Sequence, residues 1–252
     1  MSSASDPALD TRRAAPVYLA LVRWAFARFY REFAWTYDTV AALVSAGYWR
    51  DWALSALPAL RGRVLELGCG TGNLQVALAR RADLPPAIGL DASPTMVALS
   101  RAKLAKAGLP ARLLRADARA LPFPNGRFDT LVATFPSEYI ADPATLAEAR
   151  RTLAPGGRLV VILAAQFTAD GLYERAIDIA YRLTLQSSPR GGPASAEPPP
   201  ELPPDHRLAR ALAGAGFAVQ QRWVPAPGGR VLMLTAQLPA APTGKHHGTN
   251  GR

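Results

Sequence analysis

A single cysteine, Cys69, stands in 252 residues, so no disulfide can close within the chain. Lysine is nearly as scarce: Lys103, Lys106 and Lys245 are three of 29 basic residues, the rest being arginine. Long apolar runs are also missing. The most apolar early stretch, Val17 to Phe29, is broken by Arg23 and Arg28, and no run reaches the roughly 18 residues that a membrane helix needs. Met1 to Asp10 is polar and lacks the charged-then-apolar order of a secretion signal. A cytoplasmic protein is the default expectation. Histidine occurs three times, with His246 and His247 adjacent near the C-terminus, and no metal site is expected from them.

The hydrophobic fraction is 49%, enough for a sizeable core, and the length suits one large domain. The net charge of +10 raises nucleic acid or an anionic membrane as partners. The arginines are scattered, and they accompany abundant alanine and proline, which points to compositional bias and solvated faces.

Residues 1–15 read as disordered. Leu19, Val22, Phe26, Phe29 and Phe33 recur at helical spacing, opposite Arg23, Arg28, Arg31 and Glu32, so 16–33 reads as an amphipathic helix. That helix is a candidate for weak contact with a membrane surface. A second helix is expected from Tyr37 to Leu57, closed by Pro58; together 16–58 would form a cap. An alternation follows. Strands are expected at 63–67, 87–90, 111–115, 128–133 and 158–163, with helices at 73–81, 93–107 and 142–153 between them. Ser93-Pro94 and Asp142-Pro143 are helix-start signals. Such repeats predict a Rossmann-like, doubly wound α/β fold with a mostly parallel sheet. Beyond the fifth strand the rhythm breaks. An insertion spans 166–204, with an apolar helical stripe at Leu172, Tyr173, Ala176, Ile177, Ala180 and Leu183 and a Pro/Gly/Ser-rich loop. A helix at 205–213 and strands at 217–224 and 231–238 end the domain, separated by 225–229 as an antiparallel hairpin. The tail, 239–252, reads as disordered.

The chemistry is concentrated in Val64-Leu65-Glu66-Leu67-Gly68-Cys69-Gly70-Thr71-Gly72. A strand feeds a glycine turn that opens a helix, so backbone N–H groups face a ligand and no Cβ blocks its approach. The spacing G-x-G-x-G differs from the G-x-G-x-x-G that cradles a pyrophosphate. Glu66, two residues before the first glycine, would repel a pyrophosphate but suits a cation. Asp91 ends the second strand, where a carboxylate accepts from ribose hydroxyls in folds of this class. Asp117, after the third, is placed to accept from an adenine amine. Three acids at strand C-terminal ends fit a cationic nucleoside.

In these segments the chain resembles the class I S-adenosylmethionine (SAM)-dependent methyltransferase family, over roughly 35–238. Gly89 to Met96 is similar to the family's second signature, Arg115 to Phe123 to its third, and Leu153 to Leu159 to the turn before its fifth strand. Tyr37-Asp38 and the Ala116 to Phe123 run look most like small-molecule methyltransferases, including those of quinone biosynthesis. The resemblance implies a seven-stranded sheet whose antiparallel strand lies in the C-terminal hairpin. It also implies SAM as cofactor, with S-adenosylhomocysteine as product. By carry-over Glu66, Gly68, Cys69, Gly70, Gly72, Asn73 and Leu74 hold the methionine part. Asp91, Ala92 and Met96 flank the ribose and adenine, Asp117 and Ala118 hold the adenine, and Thr134 and Phe135 line the site. Tyr37 would close over the cofactor.

Methyl transfer from a sulfonium needs alignment and water exclusion more than acid help. No catalytic base is evident: Glu138, Tyr139 and His206 are considered, each more simply read as a surface residue. Thr134-Phe135-Pro136-Ser137 departs from the Asn/Asp-Pro-Pro-Tyr pattern of nucleic-acid amino methylation. A small, lipophilic acceptor is therefore the expectation. An RNA- or protein-directed methyltransferase, and a SAM-binding protein without transfer activity, stay open. The oligomeric state is not legible.

Overall fold

A computed structural model describes residues 47–167 and 207–240. The expectations for 1–15, for the 16–33 helix and residues 37–46 of the 37–57 helix, for Tyr37 and His206, for the 170–185 helix, the 187–204 loop and the tail beyond 240, all lie outside the described residues.

The elements in chain order are α1 (Trp49–Leu54), a 3-10 turn (Leu57–Ala59), β1 (Val64–Leu67), α2 (Asn73–Leu78), β2 (Ile88–Asp91), α3 (Pro94–Lys106), β3 (Leu113–Arg115) and β4 (Phe128–Thr134). A second 3-10 turn (Glu138–Ala141), α4 (Pro143–Thr152), β5 (Leu153–Phe167), α5 (Arg207–Gly214), β6 (Ala218–Ala226) and β7 (Gly229–Gln237) follow. They form one seven-stranded sheet in the order β3-β2-β1-β4-β5-β7-β6. The first five strands are mutually parallel where they pair, and β7 runs antiparallel to both β5 and β6. This is the doubly wound arrangement expected, with the antiparallel strand where the family resemblance puts it.

All four residues of β1 are buried, as a central parallel strand covered on both faces must be. The sheet divides the core in two. On one face Leu65, Leu67, Leu131, Leu159 and Leu234 meet Leu146 and Ala149 of α4 and Leu208 and Leu212 of α5. On the other, Val64, Val132, Val160, Ile162 and Met233 meet Trp52 of α1 and Leu74 and Leu78 of α2. The two helix starts read from sequence are capped as their residues dictate: the Ser93 hydroxyl accepts the Met96 N–H, and the Asp142 carboxylate accepts the Ala144 N–H.

Several boundaries differ from the sequence reading: the helix expected to run to Leu57 ends at Leu54, with Pro58 inside the 3-10 turn, the helix expected at 73–81 ends at Leu78, and three strands differ as well. The fifth strand runs from Leu153 to Phe167: Leu153 pairs with Phe128 of β4 ahead of the Pro155-Gly156-Gly157 segment read as a turn, and β7 pairs with the strand as far as Phe167. The hairpin loop is shorter than 225–229: Ala226 pairs with Gly229, leaving only Pro227 and Gly228 at the tip. Pro225 is tolerated inside β6 because that strand is the sheet's edge. The third strand is only Leu113–Arg115, short at the opposite edge.

Candidate cofactor site

The carboxyl ends of β1, β2 and β4 converge, and the residues that follow them build the site. After β1 the chain turns through Gly68, Gly70 and Gly72, all at positive φ. Each has a different reason to lack a side chain. A Cβ at Gly68 would press on the Tyr139 hydroxyl, one at Gly72 would strike Ser100 of α3, and one at Gly70 would meet nothing within 4 Å. The first two are packing constraints. The third leaves open space over the turn, which is what a ligand lying on the backbone requires.

Asp91, at the end of β2, organises this turn. Its Oδ2 accepts the Gly70 N–H at 3.0 Å and its Oδ1 accepts the Ser93 N–H at 2.8 Å. Burial raises its pKa above the ordinary aspartate value, and those two N–H donors pull it back. The turn is also tied to β2 through the Cys69 N–H on the Leu90 carbonyl, 2.8 Å. Lys103 of α3 braces the start of α2, donating to Asn73 Oδ1 at 2.8 Å and Thr71 Oγ1 at 3.2 Å.

Glu66 lies under the turn rather than at its mouth. It is 1% exposed, and Gln75 Nε2 donates to its Oε2 at 2.7 Å. Burial pushes its pKa up to about 8, the Gln75 hydrogen bond opposes that, and the neighbouring Asp91 adds to it. Cys69 is buried beside these acids, and desolvation drives its thiol pKa upward, which argues against a nucleophile.

The other sequence candidates fall unevenly. Leu74 is fully buried in the core against α1, so its side chain forms no wall of the site. Met96 is buried beneath the start of α3, and Ala92 is exposed on the loop before it. Asp117 is exposed and already engaged: it accepts the Arg119 backbone N–H at 2.9 Å and pairs with the Arg119 guanidinium at 3.2 Å. The same guanidinium holds Asp142 at 2.7 Å. Ala118 next to it is buried. Thr134 and Phe135, at the end of β4, are half-buried. Phe135 has φ of 49°, the one non-glycine at positive φ among the described residues, and stacks on Trp49 with ring centroids 4.2 Å apart. Such a strained backbone beside a binding rim is held in place by its surroundings; here the Phe135 N–H donates to the Ile162 carbonyl at 2.7 Å.

Tyr139 is a correction. Read as a surface residue, it is half-buried against the glycine turn, and its hydroxyl donates to the Leu67 carbonyl at 2.9 Å. Burial first, then the charges of Asp91 and Glu66, raise its pKa, so it is a donor and not a base near neutrality. Its partner is 72 residues away in sequence, beyond any spacing signal. Gln75 was also missed, although a glutamine in the apolar run Asn73-Leu74-Gln75-Val76-Ala77-Leu78 is a visible anomaly. Glu138 is exposed, as expected. An open groove of about 700 Å³ lies elsewhere, against β5, β6 and β7, lined by Arg158, Gln220, Arg222 and Gln237 among others. It includes none of the rim acids, and the chemistry of the turn defines the site better than volume does.

Residues 64–157 match the family model described as "Methyltransferase domain". Over 138 residues the chain is 43% identical to a demethylmenaquinone methyltransferase of Thermus thermophilus, covering 53% of this chain and 63% of that protein, just under two thirds of it. Over 198 residues it is 32% identical to a demethylmenaquinone methyltransferase of Deinococcus radiodurans, covering 74% of this chain and 82% of that one. A SAM-dependent methyltransferase from Aquifex aeolicus shares the fold, with a TM-score of 0.53, 20% identity, and coverage of 82% of this chain and 98% of that one. The glycine turn tied to a β2 carboxylate, with a second carboxyl beneath it, lies within the matched residues 64–157. The chain belongs to the class I SAM-dependent methyltransferase family.

Proposed function

We propose that the chain is a SAM-dependent methyltransferase that delivers a methyl group to a small, lipophilic acceptor of the quinone type. The carrying observation is the pairing of Gly70 with Asp91 across the ends of adjacent strands, over open space at Gly70. The donor set fits SAM: carboxyl groups at the turn and none of the arginine or lysine salt bridges among the described residues reaching Glu66 or Asp91. When bound, SAM supplies a methyl group on a positively charged sulfur, with a neutral leaving group.

The chain's own residues then have distinct tasks. Asp91, its carboxylate already oriented by the Gly70 and Ser93 N–H groups, has lone pairs left for ribose hydroxyls. Glu66 supplies negative charge beneath the methionine end. Ala118 and Asp117 receive the adenine, with Arg119 sharing the Asp117 carboxylate. Thr134 and Phe135 line the acceptor side, where the Trp49 ring extends the apolar wall. An electron-rich ring carbon of a reduced quinone would take the methyl group as its bond to sulfur breaks, and the ring proton it replaces would then leave to water, so orientation and exclusion of water during transfer carry the rate. No described helix is long and apolar enough to cross a membrane. The basic and aromatic residues between 16 and 33 have the composition to meet a membrane surface holding such an acceptor.

The test is transfer from methyl-labelled SAM in the presence of a reduced demethylated quinone in detergent, total RNA, and a protein extract. Label in the quinone fraction supports the assignment. Label in RNA or protein overturns the acceptor, and binding of SAM without label in any fraction overturns the activity.

A further inference from the structure

We propose that Gln75 is a positioning residue for the cofactor's cationic end: from α2 it holds the Glu66 carboxyl under the glycine turn, in a slot that exists because residue 89 is glycine. The proposal rests on the functional assignment above and adds two residues that no carboxylate motif contains. Three observations carry it. Glu66 is 1% exposed and Gln75 3% exposed, and the two are joined at 2.7 Å. Gly89 of β2 pairs with Glu66 in the sheet, and a Cβ there would sit 2.7 Å from Gln75 Cδ and 2.9 Å from its Nε2. All three nearest atoms to that Cβ belong to Gln75, so the missing side chain is space for this amide. The φ of Gly89 is not in the left-handed region, so glycine is not needed there for the backbone.

A glutamine suits this position because it serves both protonation states of its partner. Its N–H₂ donates to a carboxylate, and after rotation its carbonyl accepts from a carboxylic acid. The groups facing Glu66 are Asp91 from β2, Cys69 from the turn and Tyr139 from the turn after β4. None of them is a cation. In the free protein burial and Asp91 therefore favour the proton on Glu66. An ammonium group arriving over the turn favours its loss, and Gln75 then stabilises the carboxylate left behind. Cofactor binding becomes linked to release of one proton, and the amide sets the pH at which that happens.

The experiment is calorimetric titration of S-adenosylhomocysteine, which keeps the ammonium group, into the full chain from pH 6 to pH 8.5, in two buffers of different ionisation heat. For the unaltered protein, affinity is expected to climb with pH toward a plateau near 8, by up to about tenfold per pH unit, with proton release at pH 7. Gln75→Met, which keeps the volume and removes the donor, and Gly89→Ala, which displaces the amide without touching Glu66, are each expected to weaken binding at pH 7 on the order of tenfold and to move the climb to higher pH. Glu66→Gln is expected to flatten it. Unfolding of the ligand-free variants at pH 5 and pH 8 gives a second readout: both position-75 and position-89 variants lose more stability over that span than the parent. A flat affinity profile in the parent, or variants that keep its profile and its stability span, overturns the proposal while leaving the methyltransferase assignment intact. Failure of the parent to bind at any pH overturns that assignment and this proposal together.

Discussion

The two halves of the sheet use their buried positions differently. Around β1, Glu66, Thr71, Gln75 and Ser100 are all buried polar side chains. Along β5 and β7 the buried side chains run Leu159, Val160, Val161, Ile162 and Val231, Leu232, Met233, Leu234, without a polar one. Buried polar groups need partners and add little net stability, whereas each large apolar side chain removed from water adds about 1.5–3 kcal/mol. The antiparallel half holds the fold, and the parallel half near the glycine turn gives up apolar burial to enclose a hydrogen-bonded carboxyl group.

Mutations in the two halves should therefore separate stability from affinity. Leu234→Ala, at a fully buried position of β7, is expected to lower unfolding free energy by about 2–5 kcal/mol in denaturant titration. The folded fraction should bind S-adenosylhomocysteine as the parent does; a matching loss of affinity would erase the distinction. Gly70→Ala works the other way. Its φ of 52° costs an alanine about 1–2 kcal/mol, and the new Cβ meets no protein atom within 4 Å but fills the space over the turn. Ligand-induced stabilisation in a thermal melt should fall far more than the ligand-free melting temperature does.

Glu66→Gln sharpens the contrast through pH. The folded-state pKa near 8 lies above the unfolded value, so the folded protein holds the proton more tightly. That stability is full below the unfolded pKa and is lost as pH rises toward 8. The variant has no such loss. Its ligand-free form should match the parent near pH 5 and exceed it at pH 8, while its affinity for the cofactor product is lower. The smallest effect is expected at Arg119→Ala. Arg119 is 46% exposed and pairs with Asp117 and Asp142 at the surface, where solvent screens the attraction, so its removal should leave the denaturant midpoint almost unchanged. A larger loss would mean that the third acid is part of the fold's framework.

Much of this was legible in the chain. The glycine turn, the β2 acid and the two capped helices announce themselves within a few residues, because strand-to-turn-to-helix chemistry is local. The strand alternation and the hairpin likewise follow from short-range patterns. What sequence hid is non-local. Tyr139 reaches the Leu67 carbonyl across 72 residues. Asp91 and Asp117 look equivalent as acids after successive strands, yet one is tied into the turn by backbone N–H groups and the other pairs with Arg119 at the surface. Leu74 fits the motif but turns into the core, since the first turn of α2 presents one face to the sheet and the other to the site. The C-terminal end of β5 and the length of the hairpin loop depend on how far β7 pairs, which no local signal records.

The most direct measurement is the dissociation constant of S-adenosylhomocysteine for the parent protein and for Asp91→Ala at pH 8. Saturable binding by the parent, weakened about tenfold to a hundredfold by the substitution, is predicted from the loss of charge-assisted hydrogen bonds. Equal affinity in the two proteins, or no binding by the parent, would contradict a rim of carboxylates that grips a cationic nucleoside.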